Sequence, residues 1–292
     1  MGLDKGLAYG KVFGTLRRYD YLLQERRGLP MPPPGRDESV DIIVPAVPKD
    51  AGVLSACLEG AIGNVANKIS GIYVVAPGSG SDGLREVAAR FGATFVDEAG
   101  VLGYGPRSIG YSRNGRDKSG WIFQQLLKLS GNVGSCRHYV TIDADHVLLR
   151  PHTFVDCAGR SVFYMSEEYF YPYYRFHKMA FGRFPWHRLS YIAHKMVFER
   201  GAVADLQDRL RRAFGRPWDE GLVEALKSDP ALSFSEFETY GFFYPAARKV
   251  MLPWRQLALR KAAGRQYTYA GLKEKYGADY LSVTLPDYMK VQ

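Results

Sequence analysis

Apolar positions along the chain follow two spacings, and their order predicts the architecture. Short β-branched runs recur at Val40-Asp41-Ile42-Ile43-Val44-Pro45, Ile72-Tyr73-Val74-Val75-Ala76, Ala93-Thr94-Phe95-Val96 and Tyr139-Val140-Thr141-Ile142. Runs of this length read as buried strands. Between them the spacing turns helical: over residues 51–66, from an Asp82 cap to about Phe91, and over residues 117–130. Residues 97–116 are glycine-rich and read as a loop. Strands alternating with helices predict an α/β domain with a mainly parallel sheet flanked by helices. Such sheets bind ligands beyond the carboxyl ends of their strands. Pro45 to Asp50, Pro77 to Ser81 and Asp143 to Asp145 all fall at such ends.

The pattern changes after residue 152. Residues 163–191 are crowded with aromatic side chains, from Phe163 to Tyr191, whose spacing holds neither a helical nor a strand period for long. They read as core plus lid. Helices return at about 201–214, at 218–227 and from Glu236, and the chain after Pro253 is basic and aromatic. At the other end, residues 3–27 predict a helix with a basic side carrying Lys11, Arg17, Arg18, Arg26 and Arg27, and the proline-rich stretch 28–35 predicts a linker. The expected division is therefore 1–38 for the basic helix and linker, 39–152 for an α/β half, and 153–292 for a helical, aromatic-rich half of the same domain.

With 292 residues and 46% hydrophobic content, the chain can bury one large core. Its net charge of +9 suits a polyanionic or phosphate-bearing partner. Three widely spaced cysteines, Cys57, Cys136 and Cys157, form no C-x-x-C pair. That excludes a zinc ribbon or thioredoxin-type site and argues for a reducing compartment. No apolar run is long enough to span a bilayer, and no secretory signal is expected. The expected location is cytoplasmic, with peripheral attachment to the inner face of the cytoplasmic membrane through the basic helix as an extension of that reading.

The candidate chemistry begins where the fourth strand ends, at Asp143-Ala144-Asp145. Side chains two apart on a strand share a face, so both carboxylates can address one ion. Hard carboxylate oxygens suit Mg²⁺ or Mn²⁺. Just ahead, Gly120-Trp121-Ile122-Phe123-Gln124-Gln125-Leu126-Leu127-Lys128 places Trp121, Gln125 and Lys128 on one side of a helix. Arg107, Arg113, Arg116 and Lys118 offer cations for a diphosphate. Ser233-Phe234-Ser235-Glu236-Phe237-Glu238-Thr239-Tyr240-Gly241 holds two glutamates, each with a capping-box alternative. His194-Lys195 is a polar pair inside an apolar run, and His194 reads either as a further metal ligand or as a satisfied core histidine.

A helix opening Gly-Trp, continuing Gln-Gln and Lys-Leu, and leading into a strand that ends Asp-x-Asp resembles an uncharacterised bacterial group of GT-A-like glycosyltransferases, whose genes lie among those for surface polysaccharides. More distantly it is similar to the glycogenin-like transferases. The resemblance covers roughly residues 40–245. It implies a GT-A-like, Rossmann-like fold in which Asp143, Asp145 and His194 hold Mn²⁺ or Mg²⁺. It implies a donor site of Pro45, Lys49, Arg113 and Lys118 with Trp121, Gln125, Lys128 and Ala144. It makes Glu236 or Glu238 the base, Glu236 preferred because Glu238 fits the better-placed capping box. The implied partners are a nucleoside diphosphate sugar donor, a glycan or lipid-linked acceptor and an anionic membrane surface, with no nucleic acid. Two rival readings are a nucleotidyltransferase making a nucleotide sugar and a basic nucleic-acid-binding protein. The first lacks glycines after the first strand, in Pro45 to Asp50, and the second lacks any recognised binding motif.

Overall fold

A computed structural model of the chain describes residues 15–16, 19, 22–23, 30–168, 170–185, 189–253, 256–259 and 267–286. Most of the expected N-terminal helix over 3–27 lies outside the described residues, as do Tyr169 and Trp186 of the aromatic stretch.

The centre is a five-stranded sheet built from β1 (Ser39–Pro45), β2 (Lys68–Ala76), β3 (Thr94–Asp97), β6 (His138–Ile142) and β9 (Lys195–Glu199), in the order β3-β2-β1-β6-β9. The first four are parallel and β9 runs antiparallel to β6. This is the expected α/β architecture. Val40, Ile42 and Val44 of β1 and Val140 and Ile142 of β6 are wholly buried, as expected for central strands covered on both faces. Each contributes about 1.5–3 kcal/mol by that burial.

Helices cover the sheet: α1 (Ala51–Asn64), α2 (Asp82–Arg90), α3 (Glu98–Leu102) and α4 (Ser119–Ser130). Three expectations need correcting. The N-cap of α2 is Ser81 rather than Asp82, which is the first helical residue. Helix α1 stops at Asn64, whose amide nitrogen donates to Gly60, Leu148 and Tyr269. The segment 97–116 is not simply a loop. It contains α3, capped by the Asp97 side chain accepting from the Ala99 amide, and a 3-10 turn, and it leads into the hairpin β4 (Ser112–Arg113) to β5 (Arg116–Asp117). Elements this short carry too few apolar positions to show a period.

The one acid inside β1 ties down the approach to β6. Asp41 is buried, and its Oδ2 accepts from the amides of Ser135 and Cys136, each at 2.7 Å. Gly134 passes so close, at φ +76°, that a Cβ would lie 2.3 Å from that oxygen. Only glycine meets both demands.

The second half of the chain adds β9 to the central sheet, beside β6, and contributes to two small separate sheets. It adds β7 (His146–Leu148), β8 (Ser161–Met165), α5 (Tyr171–Phe181), α6 (Arg200–Phe214), α7 (Trp218–Ser228), α8 (Glu236–Phe243), β10 (Lys249–Pro253), β11 (Gln256–Ala258), α9 (Tyr269–Tyr276) and β12 (Ser282–Thr284). The aromatic stretch splits between β8, α5 and the core. Phe163, Tyr164, Phe176 and Tyr191 are buried, while Phe170 and Phe184 remain exposed. Strand β12 lies antiparallel to β7 and parallel to β11, and the Leu285 amide donates to the Asp145 carbonyl at 2.9 Å. The C-terminal strand thereby buttresses the turn at 143–145.

Candidate active site

Beyond the carboxyl ends of β1, β2 and β6 lies a cavity of about 700 Å³. Its floor is the turn after β6, closed by the His146 amide donating to the Asp143 carbonyl at 2.8 Å. The antiparallel register of β6 and β9 pairs Ile142 with Lys195, so one step further it sets His194 opposite Asp143. The Asp143 amide donates to the His194 carbonyl at 2.9 Å, and His194 Nδ1 lies 3.1 Å from Asp143 Oδ2. His194 is held at φ +57°, a left-handed conformation costly for a residue with a side chain. Ligand atoms of Asp143, Asp145 and His194 all lie within 4.8 Å of one another. Two carboxylates and one imidazole fit a divalent ion.

Lys128, on α4, is the hub behind this trio. Its Nζ donates to Asp143 Oδ1 at 2.6 Å and to Glu236 Oε1 at 2.7 Å, and sits 4.4 Å from the centre of the Phe237 ring. Burial pushes Lys128 toward neutrality, but Asp143 and then Glu236 outweigh it and hold the ammonium above its ordinary range. Burial likewise pushes the Asp143 carboxyl up, and the Lys128 charge and His194 overcome it, keeping the carboxylate well below its ordinary range. For His194, burial is outweighed by the hydrogen bond and charge of Asp143 and by the charge of Asp145, which raise it.

Helix α4 supplies the cavity wall through Trp121, Gln124, Gln125 and Lys128, with its N-cap Lys118 beside them. The face predicted for Trp121, Gln125 and Lys128 does meet the cavity. Gln125 also has a structural task, since its Oε1 accepts from the Glu236 amide at 3.2 Å at the start of α8. Pro45, Lys49 and Ala144 line the cavity as well. Arg113 does not: its Nη1 donates to the Leu232 carbonyl at 3.2 Å and its guanidinium stacks on Phe170.

The two glutamates of α8 are placed differently. Glu236 lines the cavity, with Oε1 on Lys128. Glu238 lies outside its lining: its Oε1 accepts from Ser190 Oγ at 2.6 Å and Tyr174 at 3.3 Å. Ser235 is the N-cap and accepts from the Glu238 amide at 3.3 Å. The backbone half of the expected capping box is thus formed, while the Glu238 side chain turns to Ser190 instead of back to Ser235. The Ser233 to Glu236 alternative is not used, because the helix begins at Glu236.

Sequence reasoning passed over two lining carboxylates, Glu98 and Glu168. Both stand just after a strand, which is the signal that could have found them. Burial, helped by the Asp97 charge, pushes the Glu98 carboxyl up to about 7. Behind the site, His146 is buried, stacks on His194 with ring centres 5.6 Å apart, and has Nε2 3.2 Å from Lys195 Nζ.

Residues 60–263 match a family of unknown function, DUF6492. No curated protein matches the sequence. Among solved structures, the chain is similar to the galactosyltransferase LgtC in complex with donor and acceptor sugar analogs, at 12% identity over 86% of this chain and 88% of that one, with a TM-score of 0.49. It is similar to mouse xyloside xylosyltransferase 1, at 10% identity over 87% of this chain and 100% of that one, with a TM-score of 0.45. A third is glucosyl-3-phosphoglycerate synthase from Mycobacterium tuberculosis in complex with Mn²⁺, UDP and glucosyl-3-phosphoglycerate, at 12% identity over 74% and 69% of the two chains, with a TM-score of 0.35.

Proposed function

We propose that this chain, which belongs to the DUF6492 family of unknown function, is a GT-A-type glycosyltransferase that moves a sugar from a nucleoside diphosphate sugar to a glycan or lipid-linked acceptor. The observation that carries the reading is the convergence of Asp143, Asp145 and His194 at the carboxyl edge of a parallel sheet, inside a cavity large enough for a nucleotide sugar. Asp143, Asp145 and His194 would hold a divalent ion, which supplies positive charge for the donor's diphosphate.

The chain's own residues divide the remaining work. Pro45, Val75, Pro77 and Phe123 form an apolar wall suited to a nucleoside. Lys49 and Lys118 line the same cavity and offer cations to the diphosphate as its charge grows on leaving. Lys128 fixes Asp143 and Glu236 in one place, so Glu236 faces the donor already satisfied at one oxygen. In the reaction the acceptor oxygen bonds to the anomeric carbon, the bond from that carbon to the diphosphate oxygen breaks, and the nucleoside diphosphate departs with the electron pair.

Calorimetry with UDP, GDP or dTDP, with and without Mn²⁺, tests this, followed by hydrolysis of UDP-, GDP- and dTDP-glucose. At least one nucleoside diphosphate is expected to bind in an ion-dependent manner and one donor to be cleaved. A protein that binds none of the three with Mn²⁺ or Mg²⁺ sinks the proposal.

The acceptor is proposed to be a surface-polysaccharide precursor at the inner face of the cytoplasmic membrane. Among the described residues no helix is long and apolar enough to cross a membrane. The net charge of +9 and the exposed side chains of Leu16, Tyr19, Leu22 and Leu23 support a peripheral association. Flotation should show binding to vesicles containing phosphatidylglycerol at low salt and release at high salt. Equal binding to neutral vesicles, or indifference to salt, would remove the electrostatic basis. Binding that survives deletion of residues 1–27 would place the contact elsewhere.

A further inference from the structure

Six carboxylates line the cavity, and all but one are accounted for by their surroundings or their place in the sheet. Asp50 accepts from the Val47 amide at 3.0 Å in the turn after β1. Asp143 and Asp145 belong to the ion-binding trio, and Glu236 is held by Lys128. Glu98 follows β3, which is separated from β6 by β2 and β1. Three strand spacings of about 4.8 Å place it roughly 14 Å from the turn after β6, at the nucleoside end. Glu168 remains. It follows β8, lines the cavity beside Tyr173 and Ile192, and lies close enough to His194 and Asp143 to feel both charges. Among the described residues its carboxylate makes no hydrogen bond or ion pair.

Its position is built rather than incidental. The Glu168 amide donates to Ser166 Oγ at 3.2 Å. Ser166 and Ser190 exchange both backbone hydrogen bonds, at 2.8 and 2.9 Å. Ser190 begins the short segment that ends in His194, so the Glu168 loop is registered against the ion-binding residues by main-chain bonds. Tyr173, on the first turn of α5, presents a half-buried ring to the same end of the cavity. A ring and a carboxylate side by side are the groups that hold a sugar: one packs against its apolar face, the other accepts from its hydroxyls.

We infer that Glu168 and Tyr173 form the acceptor end of the cavity and that Glu168, rather than Glu236 or Glu238, takes the proton of the attacking hydroxyl. This rests on the glycosyltransferase reading and deepens it. The acceptor O–H bond breaks, its proton passes to a Glu168 carboxylate oxygen, and the freed oxygen pair forms the bond to the anomeric carbon as the diphosphate leaves. No oxidant or further reactant is required. Desolvation by the cavity wall lifts the Glu168 carboxyl above its ordinary range, with His194 opposing and Asp143 adding to the rise, which suits a group that must hold a proton.

Water can stand in for the acceptor, so UDP-, GDP- and dTDP-glucose with Mn²⁺ are the probes. Glu168→Gln is expected to lower hydrolysis of the cleaved donor by roughly 10²–10⁴-fold, and its calorimetric affinity for the matching nucleoside diphosphate with Mn²⁺ should stay at the wild-type value. Glu168→Asp, which keeps the carboxylate, should recover part of the rate. Wild-type turnover in Glu168→Gln overturns the inference, and so does a loss of nucleotide binding that matches the loss of rate. A wild-type protein that binds no nucleoside diphosphate defeats the glycosyltransferase reading itself, and this inference with it. Binding that stays intact while only Glu168→Gln loses rate supports both.

Discussion

Asp145→Ala is expected to abolish Mn²⁺-dependent binding of a nucleoside diphosphate while the protein stays folded. The ligand trio has only three protein groups, so removing one takes a third of the donor set. Loss of a mere supporting residue around a metal lowers affinity by about 10–100-fold, and loss of a direct ligand should exceed that. Asp143 needs a different substitution. Its carboxylate also receives Lys128 and His194, so Asp143→Ala would strand a buried ammonium with Glu236 as its remaining carboxylate. Asp143→Asn keeps the shape and one acceptor oxygen while removing the charge the ion requires. Calorimetry with and without Mn²⁺, beside thermal melting, separates the two effects. Unchanged ion-dependent binding in both Asp145→Ala and Asp143→Asn would remove the Asp-x-Asp assignment, whatever the protein's activity.

The sequence made the floor of this site legible because its parts are local. The β-branched run at 139–142, the acids that follow it and the helical spacing of Trp121, Gln125 and Lys128 each lie within a single element. What stayed hidden depends on partners distant in the chain. Lys128 meets Glu236 across 108 positions. His194 was a candidate from its polar character and the resemblance to glycogenin-like transferases, and the β6–β9 register that sets it opposite Asp143 has no local signature. Arg113 had suitable chemistry but is drawn to the Leu232 carbonyl. Glu98 disappeared inside a supposed loop because α3 is only five residues long. The choice between Glu236 and Glu238 was framed by capping, which Ser235 does perform. What distinguishes the two is where their side chains go, Lys128 for one and Ser190 for the other, which no spacing rule conveys.

Lys128→Met should destabilise the ion-free protein severely and the ion-loaded protein much less. The ammonium is buried 2.6 Å from one carboxylate oxygen and 2.7 Å from another. Each attraction is worth on the order of 6 kcal/mol before desolvation is subtracted, at an effective dielectric constant near 20. Desolvation of the three charges takes back most of that. Deletion of one partner leaves the others buried and uncompensated, a loss of about 3–5 kcal/mol. For a chain of this size that corresponds to a melting point lower by roughly 6–20 °C. A divalent ion on Asp143, Asp145 and His194 would neutralise one of the two stranded carboxylates, so added Mn²⁺ should raise the melting point more in Lys128→Met than in the wild type. Removing a cation next to the ligand trio should also tighten binding of bare Mn²⁺, which calorimetry reads without any turnover. The second stranded group is Glu236, so Lys128→Met with Glu236→Gln should melt well above Lys128→Met alone, because a neutral amide tolerates burial where a lone carboxylate does not. A double variant no more stable than the single one would show that Glu236 is not coupled to Lys128. A Lys128→Met protein that melts with the wild type and gains no extra stability from Mn²⁺ would mean that the ammonium does not organise the ion site.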